Sequence, residues 1–168
     1  MTTPLWALAL AYWFHMLATV LWIGGLTVFT LLVMPAAQRT LEAESYAKFL
    51  TEIRRRLDPL GWLSVIILLA SGMFQMSASS NYEGFLAVEG IWGYAILIKH
   101  VFFGLMVAIS GYVTWGLVPA LRRAALLQAH GKPATNLEKL QRQNTRLMQI
   151  NLVLGVVVLL LTAVARSV

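Results

Sequence analysis

The sequence predicts an all-α integral membrane protein, a bundle of four transmembrane helices, and three observations predict it. Hydrophobic residues fill 59% of the 168 positions and charged residues only 12%. Apolar runs of bilayer length recur four times, and Lys and Arg gather in two of the three connecting segments. A soluble domain of this size has too large a surface-to-volume ratio to hide so much apolar side chain, and the mean hydropathy is +0.73.

Each span is justified by length, since crossing a hydrocarbon core of about 30 Å takes about 20 helical residues at roughly 1.5 Å each. The first runs from about Leu5 to Met34. No Lys or Arg precedes it and its apolar character continues to Ala37, so it reads as a retained helix rather than a signal peptide. The charged segment from Gln38 to Asp58 reads as a short amphipathic cytoplasmic helix on the bilayer surface. Tyr46, Phe49, Leu50, Ile53 and Leu57 would form its apolar side, opposite Glu44, Lys48, Glu52 and Arg55. Asp58 and Pro59 have the pattern of an N-cap followed by a first-turn proline, so a new helix is expected there, spanning to Ser79.

The next connection, Ser80 to Glu89, carries Asn81, Glu83, Gly84 and Glu89 but no Lys or Arg. A third span follows from Gly90 to Leu117, and His130, Gly131, Lys132 and Pro133 then mark a turn before the fourth span, Met148 to Ala165. Neither an internal repeat nor a second soluble domain is visible, so residues 1–168 read as one four-span domain.

Charge placement orients the bundle. The first connection holds Arg39, Lys48, Arg54, Arg55 and Arg56, and the third holds Arg122, Arg123, Lys132, Lys139, Arg142 and Arg146. The positive-inside rule puts both in the cytoplasm and both termini outside it, as expected of a multi-pass protein of the inner (plasma) membrane. The net charge of +6 is therefore a topology signal, and no nucleic-acid partner is expected. Trp6, Trp13, Tyr82, Trp92 and Tyr94 read as an interfacial aromatic belt. With no cysteine, thiolate metal sites and thiol catalysis are excluded; nucleophile elbows, P-loops and paired intramembrane carboxylates are also missing.

Three ionisable residues remain inside the spans, where each is costly: His15, Lys99 and His100. All lie roughly 15 Å from the outer ends of two helices that run the same way, and so share one level. His15, Thr19, Trp22 and Thr30 form a polar and aromatic stripe on the first helix, interrupted by Leu26. His100 heads a row with Gly104, Ala108 and Gly111, small enough to let a neighbouring backbone or a flat cofactor approach. Lys99 points about 100° away from that row. Ser64, Ser71 and Gln75 on the second helix, and Asn144, Met148, Asn151, Gly155, Thr162 and Arg166 on the fourth, complete a partly polar centre. Met16, Met34, Met73, Met76 and Met106 offer thioethers, soft enough for Cu(I) but equally common as core filler.

The run FHMLATVLWIGGLTVFTLLVMPA, with His15, Trp22, Gly24, Gly25 and Pro35, resembles the first helix of the copper resistance D domain family. YAILIKHVFFGLMVAISGY is similar to that family's later helix, an apolar run interrupted by a lysine, here Lys99. A first-helix His with a later Lys also resembles the HemJ-type protoporphyrinogen oxidases, which bind haem b. That likeness implies His15 as a haem ligand with Lys99 as its functional partner. Residues 29–35 are mostly apolar, without the aromatic, arginine and histidine pattern of the oxidase group.

Three functional readings follow. One is a haem b protein with a redox or electron-transfer role, as in a membrane oxidoreductase. Its cofactor-binding residues would be His15, His100, Lys99, Trp22, Gly104 and Arg166, with His15 on the iron, His100 or Lys99 at its other face, and Lys99 or Arg166 near the propionates. Another is copper handling by His15, Met16, Met73 and Met76. The third is a structural subunit of a larger membrane complex. Lipid is the partner common to all, and a membrane redox partner belongs to the first.

Overall fold

A computed structural model describes residues 4–79, 84, 90–130 and 136–167. Among the described residues the fold is all α, and four helices are long and apolar enough to cross a membrane: α1 (Leu5–Thr40), α2 (Ala43–Ser77), α3 (Gly90–Ala129) and α4 (Leu137–Ser167). Tyr82, Asn81, Glu83, Glu89 and the expected turn at Gly131, Lys132 and Pro133 fall outside the described residues.

The helices form because backbone donors and acceptors have no water to bond to in hydrocarbon and must be satisfied within the segment. Their exteriors are apolar: Val20, Leu32, Ile66, Ile91, Val153 and Leu160 are all more than half exposed. Such a surface on every side suits acyl chains rather than water. Trp6, Trp13 and Tyr94 also face outward towards the ends of their helices.

α1 and α2 pack antiparallel, joined by side chains from His15 to Ser71 and from Gln75 to the carbonyl of Ala11. α3 and α4 do the same through Asn151 and Ser110, and through Gln143 and Tyr112. Gly155 admits the Met106 methyl, which a Cβ at that position would meet at 3.2 Å. Gln38 at the end of α1 donates to Thr145 of α4, and the core cluster runs from Leu26 and Phe29 through Tyr46 and Leu50 to Leu121 and Leu137.

Two details differ from expectation. The segment after α1 is no separate surface helix, because α2 continues through Pro59 without a break. Proline removes one donor, which frees the carbonyl of Arg55, and Arg55 is exposed, so no buried group is orphaned. Tyr46 and Leu50 from the expected apolar side are buried at 2% exposure, whereas Phe49 and Leu57 turn outward and Arg54 turns inward at 7%.

Three stretches widen into π-helical turns: Val20–Gly24 and Phe29–Val33 in α1, and Tyr112–Leu117 in α3. Pro35 and Pro119 follow the second and third of these. A proline ring clashes with the carbonyl four residues back, here Leu31 and Trp115, and a wider turn relieves that clash.

Candidate functional site around His15

His15 sits half-buried where α1 meets α2, and Nδ1 lies 2.8 Å from the Ser71 hydroxyl. Ser71 is 8% exposed and donates its own hydrogen to the Ile67 carbonyl one turn back. With that hydrogen committed, Ser71 accepts from His15, so Nδ1 carries the proton and Nε2 is left with a free lone pair. Gly72 makes this approach possible, since a Cβ there would stand 3.3 Å from His15 Cε1. Thr19 bonds back to the His15 carbonyl on the same stripe.

Two cations act electrostatically on this imidazole, Lys99 from α3 and Arg166 from the C-terminal end of α4. Arg166 is exposed and lies over the Tyr12 ring, 4.6 Å from its centroid. Lys99 is half-buried. Among the described residues the ion pairs join Glu44 to Lys48, Arg54 to Asp58, Glu52 to Arg56 and Glu138 to Arg142, so neither Lys99 nor Arg166 has a carboxylate partner. Among the described residues, then, this imidazole feels two cations that no carboxylate neutralises, an arrangement that favours negative charge.

The structure does not bring the other expected residues here. His100 is exposed, with Nδ1 turned back 2.7 Å from its own helix's Ile96 carbonyl, and Gly104 and Ala108 share that outward face. The inward face of α3 is the one that carries Lys99, Met106 and Ser110, about 100° round from the His100 row. His15 and His100 therefore do not face one another across a cofactor plane. Trp22 lies two turns further in, packed edge-on against Phe103 with ring centroids 5.4 Å apart.

For copper, Met73 is 43% and Met16 58% exposed, so both look away from the bundle, while Met34 and Met106 are core residues at 1% and 0%. Met76 is half-buried, one turn beyond Gly72 on the face that meets α1. No group of three or more His, Cys, Asp or Glu side chains able to hold a metal occurs among the described residues.

One buried pair went unnoticed in the sequence. Arg54, assigned there to a cytoplasmic loop, is buried between α1, α2 and α4, 3.5 Å from Asp58 and over the Phe29 ring, with Nη2 3.2 Å from the Met148 sulfur. The signal was available in the i, i+4 spacing of Arg54 and Asp58, on the same side as Leu50.

Compared with known proteins, residues 51–165 match the model of the family described as copper resistance protein D. The match includes Ser71, Gly72, Lys99 and Arg54 and begins after α1, so His15 lies outside it. No curated protein matches, and no solved structure does.

Proposed function

The chain belongs to the copper resistance protein D family, and from that premise we propose that it is a multi-pass membrane protein that handles copper, with His15 as its metal-binding imidazole. One observation carries the proposal: His15 Nδ1 stands 2.8 Å from a Ser71 hydroxyl whose own hydrogen goes to the Ile67 carbonyl, an arrangement that favours the tautomer with Nε2 as the metal-binding nitrogen. A metal-binding histidine is commonly oriented in this way by a partner on its other nitrogen. Met76, half-buried one turn from Gly72, would supply a soft donor.

A second reading, haem b, is favoured by a different observation: among the described residues Lys99 and Arg166 form no ion pair with a carboxylate. Lys99 and Arg166 would neutralise propionates, and His15 would hold the iron. Haem would supply electron transfer; the chain's own contribution would be to orient the imidazole through Ser71 and to hold the acidic edge.

Both readings place the basic ends of the helices in the cytoplasm and the termini outside, in the inner membrane. One experiment separates them: an optical spectrum of the detergent-solubilised protein, oxidised and reduced, with a metal assay on the same sample. Near-stoichiometric copper without a Soret band, lost in His15→Ala, supports copper handling. A Soret band lost in His15→Ala supports haem b. Colourless, metal-free protein after loading with either would overturn both.

A further inference from the structure

A cavity of about 320 Å³ lies in the inner half of the bundle, two turns from His15 and separate from it. All three π-helical stretches border it, through Trp22 from the first, Phe29 from the second and Thr114 from the third. Widened turns give up regular helix bonding and concentrate at functional sites, and here they converge on one void.

The polar equipment of the cavity is specific. Arg54, only 7% exposed, lines it, and its Nε has no hydrogen-bond partner. Its charge is already balanced by Asp58, which also accepts from the Thr114 hydroxyl. An occupant therefore need not be an anion; it needs an oxygen that accepts from Arg54 Nε–H. The walls are aromatic and aliphatic, including the indoles of Trp22 and Trp62, and this suits a flat ring. At the rim, Val20 and Leu21 are 67% and 49% exposed on the lipid-facing side of α1, so the route in is from the bilayer. The volume falls within the range of small-molecule sites.

We propose that this cavity is a lateral binding site for a neutral, lipid-soluble ring bearing a carbonyl oxygen, the chemistry of a quinone, with Arg54 Nε–H donating to the carbonyl and Trp22 and Trp62 against the ring. The site does not depend on which metal or cofactor His15 holds. It would bring an electron-accepting molecule within the same bundle as that centre.

The test is titration of the whole protein in nanodiscs with decylubiquinone, read by tryptophan fluorescence against nanodiscs without protein. Saturable quenching is expected. A leucine at Gly25 would fill the cavity without disturbing the fold, because Gly25 lines it and a Cβ there meets nothing within 4 Å. Gly25→Leu should weaken binding about tenfold or more, and Arg54→Leu by a similar factor through loss of a charged donor. An alkylbenzene of the same tail length, which has no carbonyl, should bind about tenfold more weakly than the quinone. Quenching that rises linearly with membrane quinone, or that is unchanged in Gly25→Leu, would overturn the site. Equal binding of the alkylbenzene would assign the cavity to a lipid tail and overturn the carbonyl contact. Gly25→Leu keeps the test decisive if Arg54→Leu does not fold.

Discussion

Neutralising Asp58 should expose how the buried Arg54 is held. In Asp58→Asn the guanidinium stays charged and buried, with the Met148 sulfur at 3.2 Å and the Phe29 ring at 5.4 Å as its remaining neighbours. Breaking a fully buried pair costs about 3–5 kcal/mol, because an uncompensated charge is left in a medium that solvates it poorly. The side chains here are 9% and 26% exposed and the ions stand 3.5 Å apart, so the pair is only partly sealed. A cost of about 2–3 kcal/mol is therefore expected, given that exposed pairs contribute at most about 1. At roughly 2–4 °C per kcal/mol for a chain of this size, Tm should fall by about 5–10 °C. Thermal unfolding in detergent, followed by intrinsic fluorescence and by size-exclusion recovery, reads this directly. The double variant Arg54→Met with Asp58→Asn should return to within about 1 kcal/mol of the parent, since both charges are then gone. A shift under about 2 °C in Asp58→Asn, or a double variant as unstable as the sum of the singles, would refute a buried and mutually dependent pair.

The site around His15 makes further demands. Ser71→Ala should weaken metal or cofactor retention about 10–100-fold by releasing the Nδ1 proton, with little change in Tm, as measured by metal or haem content after dialysis. His100→Ala should leave that content unchanged, because His100 faces outward; a loss as large as that in His15→Ala would show that α3 turns the other way in the membrane. Gly155→Leu should lower stability by about 1–3 kcal/mol, because the Met106 methyl already stands 3.2 Å from the position of a Cβ. Gly104→Leu, with nothing within 4 Å, should leave Tm unchanged in the same assay.

Much of the fold was determined by the sequence alone. Four apolar runs of bilayer length dictate four helices, because hydrocarbon leaves the backbone no other way to satisfy its polar groups. Helical period then settles which residues share a face: Ser64 and Ser71 on α2, and Asn144, Met148, Asn151 and Gly155 on α4, are all buried, as their spacing requires. His15 belongs to the same class, since its stripe also carries Thr19 and Thr30.

What only tertiary packing decided is the rotation of α3 and the inward turn of Arg54. Period places Lys99 and His100 about 100° apart but does not say which points inward, and the apolar residues all round α3 offer no hydropathy contrast to choose between them. Lipid is as apolar as a leucine side chain, so in a membrane the choice falls to close packing, here Met106 against Gly155 and Ser110 against Asn151. In the same way Arg54 reads as one of three consecutive arginines; the i, i+4 spacing to Asp58 hints at its difference, but contacts from Met148 and Phe29 on other helices turn it inward. The Met148 and Phe29 contacts are long-range in sequence, and it is the bundle that brings them together around a cavity no single helix could form.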